Sequence, residues 1–167
     1  SLYDPEAEKQ SAETLLDMGC DVITQHCDTS YPQTLAQDRG VYGIGYNSDM
    51  SKEAPDACLC SVIWNWSAYY TSAVQSIIDG TWDGSNYYGG MNENLVGITE
   101  LADFCAEGTA DRVKEAKKRI MSGELGVFDG VIETNTGDMI GEAGKTLDDA
   151  TITGAVNWYF KTVNVVE

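Results

Sequence analysis

Positive charge is scarce in this sequence. Lys and Arg total 10 against 27 Asp and Glu, a formal net charge of −17 over 167 residues. A polyanion such as DNA, RNA or an anionic membrane face is therefore repelled at long range. Histidine occurs once, at His26, and Cys58-x-Cys60 is too tight for a zinc template, so no metal site is expected. The five cysteines, odd in number and mostly embedded in strands, read as small core hydrophobes. No stretch approaches the ~18 consecutive apolar residues of a membrane span, and no basic segment followed by an apolar core opens the chain. A glycine-rich phosphate loop and a nucleophile elbow are absent too, which removes the common signatures of phosphoryl and acyl transfer. A small neutral or cationic ligand stays compatible with all of this.

What is present is an ordinary globular composition, 43% hydrophobic and 22% charged, at a length that predicts one domain or lobe. Asp4 is a good N-cap with Pro5 at the first helical position. Ala12, Leu15 and Leu16 form an apolar stripe and Gly19 a stop, so the pattern predicts a helix over 5–18. A strand over 20–25 follows. Thr29 or Ser30 then caps a second helix with Pro32 in its first turn and Gly40 at its end. Val41–Tyr46 is a short strand in which Gly43 and Gly45 leave room for close packing or for a ligand. After a loop containing Pro55, Cys58–Ile63 is the next strand. Ser67 is placed to cap a third helix, with Tyr70, Ala73, Val74, Ile77 and Ile78 spaced for a buried face. Helices interleaved with short apolar strands make parallel βαβ units the economical reading.

Beyond residue 80 the pattern is looser. Residues 87–91 and 95–99 read as a hairpin or two irregular strands, and Thr109 and Asp111 open a charged helix through Met121. An apolar stretch over 127–132 comes before a turn at Asn135-Thr136-Gly137-Asp138. A tail carrying Leu147, Ile152, Val156, Trp158 and Phe160 is expected to clasp the lobe. Three of the predicted strands end on polar or aromatic tips: Gln25-His26-Cys27-Asp28, Asn47-Ser48-Asp49 and Trp64-Asn65-Trp66. Open α/β sheets bind ligands at the carboxyl ends of their strands, so these tips suggest one shared binding edge.

The succession DPEAEKQSAETLLDMGCDVITQHCDTS, GVYGIGYNSDMSKEAP, SVIWNWSAYYTSAVQSIIDGTWDGSNYYGG and AKKRIMSGELGVFDG closely resembles the basic membrane protein (BMP) family. These are substrate-binding lipoproteins of bacterial ABC transporters, related to purine-nucleoside receptors. The resemblance implies an α/β fold, part of a type I periplasmic-binding protein: a Rossmann-like lobe with a mostly parallel sheet and flanking helices. It also implies that residues 1–167 are the C-terminal part of such a protein, mainly its second lobe, with the first lobe and a lipid anchor outside the chain. The helix that starts directly after Ser1-Leu2-Tyr3 fits that expectation. The implied partners are a nucleobase or nucleoside, ABC permease subunits and the N-terminal lobe of the same protein, with no cofactor, no nucleic acid and an extracytoplasmic location.

Family members stack a nucleobase on aromatic rings and hold a sugar, where there is one, with an acidic residue from the loop matched here by GYNSD. That residue is Asp49, with Asn47 where many relatives have a second Asp. Trp64 matches the position where nucleoside-binding relatives carry a lysine. This departure favours a free purine base such as adenine, as in the subgroup resembling QHxD (His26, Asp28) and WNW (Trp64, Asn65, Trp66). The implied ligand-binding set is His26, Asp28, Asn47, Asp49, Trp64 and Asn65.

Elementary energetics point the same way. One stacked base contributes about 1–3 kcal/mol and one hydrogen bond to a carboxylate about 1.5–3 kcal/mol. The sum falls short of the ~8 kcal/mol of micromolar affinity, so a lone lobe binds weakly and a second lobe supplies the rest. Plainer roles stay open: a structural imidazole for His26, turn or cap carboxylates for Asp28 and Asp49, helix-core packing for Trp64 and Trp66. A ligand sensor without transport is one alternative. An acid-base hydrolase using His26 and Asp49, or Cys27 as nucleophile, is another. Against the last, adjacent strand residues project to opposite faces, so His26 and Cys27 do not easily meet.

Overall fold

The computed structural model describes residues 3–154 and 156–166. The chain forms two compact units, Ser1–Ala110 and Asp111–Glu167, each with a small sheet.

In the first unit, α1 (Pro5–Asp17) begins as the sequence predicts. The Asp4 carboxylate accepts from the Ala7 amide at 3.2 Å, while Glu8 reaches back to accept from the Asp4 amide at 2.9 Å. Two amides that no helical carbonyl can serve are thereby satisfied. Ala12 and Leu16 face inward, and the chain leaves the helix through Gly19 at φ +91°. β1 (Val22–Thr24), α2 (Tyr31–Asp38) and β2 (Tyr42–Asn47) make one parallel βαβ unit, and β3 (Cys58–Trp64) adds in parallel on the far side of β2. Both α1 and α2 pack on one face of the sheet, where Leu16, Ile23 and Ala36 form a core cluster.

The glycines of β2 serve packing. A Cβ on Gly43 would stand 2.0 Å from the Gln33 side-chain oxygen, and one on Gly45 would stand 2.4 Å from Ser61 Oγ and 3.0 Å from Met50 Cβ. Ser61, fully buried, accepts the Met50 amide at 3.0 Å and ties the 50–57 loop onto the same sheet face. There Met50, Ala54, Ala57 and Cys58 make a second core cluster. Buried Gln33 donates to Gln25 Oε1 at 2.9 Å and to the Ile44 carbonyl at 3.1 Å, stitching α2 to both neighbouring strands.

The βαβ pattern breaks after β3. α3 (Trp66–Ile78) starts one residue ahead of Ser67, with Asn65 at the N-cap. It leads to β4 (Val96–Ile98), which pairs antiparallel to β3 rather than parallel. Residues 87–91 form no strand, and a turn around Asn94 delivers the chain to β4. The face of α3 expected to be buried is exposed: Tyr70, Val74, Ile77 and Ile78 all lie open to solvent. Its stripe is real, but no other element covers it here.

α4 (Thr109–Met121) runs as predicted from the first unit into the second. There β5 (Ile132–Glu133) and β6 (Met139–Ile140) form a hairpin around the predicted Asn135–Asp138 turn. The strand is shorter than the 127–132 apolar run. A short helix, α5 (Asp149–Gly154), precedes the tail. The tail hydrogen-bonds to the hairpin of its own unit, Asn135 N to Tyr159 O at 2.9 Å and Lys161 N to Glu133 O at 3.0 Å.

Candidate functional site

The carboxyl ends of β1, β2 and β3 carry the predicted residues, and the structure sorts them into three groups. At the β1 and β2 tips, exposed His26 lies against Tyr46 with ring centroids 4.5 Å apart. Asn47 sits at φ +68°, a conformation asparagine tolerates better than most residues, and donates to Asp28 Oδ1 at 3.3 Å. His26, Asp28 and Asn47 thus share one polar tip. Gln25 folds back to donate to the Cys27 and Thr29 carbonyls at 2.9 and 2.7 Å, which shapes the loop that presents them.

Asp49 stands apart. Its carboxylate accepts from the Ser51 amide at 3.0 Å in a side-chain turn. The Ser51 hydroxyl and amide, with Lys52 nearby, hold its carboxyl below the usual value. It lines a depression of about 450 Å³ shared with Pro55, Cys58, Thr99 and Glu100. Trp64 is not among the residues that line this depression.

Trp64 opens a different feature. It ends β3, and two residues later Trp66 starts α3, so the two indoles stack at 5.4 Å and 19°. Trp66 continues to Tyr70 at 6.0 Å, and Tyr69 stacks on Tyr87 at 4.5 Å. Trp64, Trp66, Tyr69 and Tyr87, together with Tyr88, Met91, Leu95 and Val96, line a groove of about 530 Å³ that has no charged residue in its walls. Such a surface holds a flat, uncharged ring by stacking and repels nothing but excess polarity. Asn65, a predicted ligand contact, is engaged with the chain itself: its Nδ2 donates to the Asn94 carbonyl at 3.1 Å and its Oδ1 accepts from Ser67 Oγ at 2.5 Å. The groove residues that sequence reasoning passed over are Tyr69, Tyr87 and Tyr88. Their only signal is the repeated Tyr-Tyr doublet, one inside the uncharged α3 and one after it.

Cys27 is poorly suited to nucleophilic chemistry. Burial, reinforced by the adjacent Glu8 carboxylate, pushes its thiol up to about 11, so it stays protonated at neutral pH. It turns toward Glu8 while His26 packs on Tyr46, in keeping with the opposite projection expected of neighbours.

A four-stranded sheet with parallel strands at its heart, helices on its flank and an aromatic carboxyl-end groove is a lobe of the type I periplasmic-binding class. Residues 1–129 match the family described as Bmp, ABC transporter substrate-binding protein PnrA-like. The chain belongs to this family. It is 37% identical over 164 residues to a purine-binding protein of Brucella abortus (strain 2308), covering 98% of this chain and 46% of that protein. It is 31% identical over 128 residues to a Haloferax volcanii protein named for ABC transporter glucose binding, covering 77% of this chain and 33% of that one. The chain thus spans less than half the length of these relatives. Among solved structures, a transcriptional activator of the comK gene from Bacillus halodurans superposes with a TM-score of 0.64 at 15% identity, covering 75% of this chain and 45% of its own. An ABC transporter solute-binding protein from Aeropyrum pernix gives 0.59 at 19% identity, covering 74% and 44%. At these identities the superpositions speak for the fold alone.

Proposed function

We propose that this chain is the larger part of the second lobe of an extracytoplasmic receptor that captures a purine base, adenine in preference to a nucleoside, and hands it to an ABC permease. The observation that carries this reading is the uncharged groove headed by Trp64 at the end of β3. Stacking on it contributes about 1–3 kcal/mol per base. Binding is non-covalent, and the polar tip of His26, Asp28 and Asn47 supplies hydrogen-bonding edges that a heterocycle needs for orientation. Asp49 acts only if a second lobe brings ligand within its reach. The purine named for the Brucella relative supports the same ligand class, at higher identity and coverage than the glucose named for the Haloferax one.

The test is calorimetry on the two-lobed protein with adenine, adenosine and glucose. Adenine is expected to bind most tightly, and Trp64→Ala to weaken it at least about tenfold, the loss of one stacked base. The melting temperature of the empty protein should stay near wild type. Unchanged affinity removes Trp64 from the site, and binding of glucose alone turns the assignment to a sugar.

A further inference from the structure

Beyond Thr24 the ladder between β1 and β2 ends, yet the in-and-out alternation of the strand continues. Gln25 is half-buried, His26 exposed, Cys27 half-buried, Asp28 exposed and Thr29 buried. Without strand pairing, a segment keeps one conformation only where other contacts offset the entropy of ordering it. Two side chains supply those contacts from the inner side. Gln25 Nε2 donates to the Cys27 and Thr29 carbonyls at 2.9 and 2.7 Å, and its Oε1 accepts from buried Gln33 at 2.9 Å. Glu8 of α1 receives the donors of the same segment. Its Oε2 accepts from the Thr29 amide at 3.3 Å and from the Thr29 hydroxyl, and the Cys27 thiol donates to the same carboxylate.

A glutamate in the first turn of a helix can serve the helix start from the surface. Here Oε1 does so, accepting from the Asp4 amide at 2.9 Å, while Oε2 is directed to a residue 21 positions away. Glu8 is only 8% exposed, a desolvation that capping alone does not require. An ionised carboxylate is acceptor-only, with about four lone-pair sites on two oxygens, which suits donors converging from two segments. A glutamine of the same size would set its NH2 against at least one of them.

We propose that Glu8 is a positioning residue of the binding tip: by holding Cys27 and Thr29 inward, it fixes His26 and Asp28 outward, toward the ligand. This role deepens the purine-receptor reading and rests on it. Neighbours in an extended segment project to opposite sides, so fixing alternate residues fixes those between them. Asp28 then stands where Asn47 donates to it at 3.3 Å, and His26 where its ring lies on Tyr46 at 4.5 Å. A tip ordered before the ligand arrives loses less side-chain entropy on binding. Buried behind the loop, Glu8 acts through these two residues.

A mutant cycle tests this, read by adenine calorimetry on the two-lobed protein at a temperature where every variant is folded. Asp28→Asn should weaken adenine at least about tenfold, the loss of one hydrogen bond to a carboxylate. Glu8→Gln should weaken it about threefold or more, the cost of ordering two side chains that the clamp no longer holds. In a His26→Ala, Asp28→Asn background the same Glu8→Gln change should cost nothing further, because the residues through which it acts are gone. Thr29→Val, which removes only the hydroxyl, should act in the same direction and serves in place of Glu8→Gln where that variant does not fold. Leu16→Ala on the same helix lowers the Tm through the core cluster and should leave the Kd unchanged. Three results each overturn the proposal while leaving the purine site standing: loss in Asp28→Asn without loss in Glu8→Gln or Thr29→Val, a Glu8→Gln effect that persists in the double background, or an equal loss in Leu16→Ala. Unchanged affinity in the His26→Ala, Asp28→Asn protein removes the tip from the site, and the positioning role with it.

Discussion

At position 8 a carboxylate lies on the stripe that also carries Ala12 and Leu16, buried where an apolar side chain would be expected. Burial alone would raise its pKa. The Thr29 hydroxyl, the Asp4 amide, the Cys27 thiol and the Thr29 amide together outweigh that and hold Glu8 below its ordinary 4.5. A folded-state pKa below the unfolded one means stability that is present above the ordinary carboxylate range and fades as pH falls through the depressed value. Glu8→Ala should cost about 1–3 kcal/mol at neutral pH, because it strands buried donors. In urea unfolding, the gap between wild type and Glu8→Gln should narrow as pH falls from neutrality through the depressed pKa of the native carboxyl. A gap that stays constant would mean that the charge on Glu8 contributes nothing. Nothing in the sequence singled this residue out except its spacing four before Ala12. The placement of Trp64 and of the His26, Asp28 and Asn47 tip at strand ends was legible because each tip follows an apolar run. The backbone contacts of Asn65 and Asp49 were less legible, since a short polar side chain near a chain turn serves the backbone as readily as a ligand.

Among the elements, β2 is the most tightly specified. Gly45 faces the buried Ser61 hydroxyl that receives the Met50 amide, so an added methyl must displace either that hydrogen bond or the Met50 side chain. Gly45→Ala is expected to destabilise by about 1–3 kcal/mol, the usual cost of overpacking, with a lower denaturation midpoint at unchanged m-value. A Tm within a degree of wild type would mean that the 50–57 loop yields easily. The sequence showed two glycines and left packing and ligand access equally open, because which side chain stands opposite is a tertiary fact. The same reason separates the elements read well from those read poorly. α1, α2 and α4 carry their own stripes and stops, and α1 its own cap, whereas Ser30 at the N-cap of α2 makes no side-chain cap bond. The strand direction of β4 and the exposure of α3 depend on partners distant in sequence, and periodicity reports which face is apolar but not what covers it.

The charge of the whole molecule acts on stability and on binding in different ways. With 27 carboxylates against 10 cations, most acidic groups have no cation to meet. The ion pairs among the described residues, such as Lys9–Glu13 and Arg39–Asp17, lie at the exposed surface, where each contributes at most about 1 kcal/mol. Self-repulsion among the remaining carboxylates opposes the compact state. Salt shortens its reach from about 10 Å at 0.1 M to about 3 Å at 1 M. The Tm is therefore expected to rise by several degrees between these NaCl concentrations. The aromatic groove has no charged wall, and a neutral base brings no charge to it, so the Kd for adenine should change less than about twofold over the same range. The two responses separate the surface from the site. A Tm indifferent to salt would show that repulsion does not limit this fold, whereas an adenine Kd that follows salt would mean that a carboxylate such as Asp28 or Asp49, rather than the indole of Trp64, governs capture.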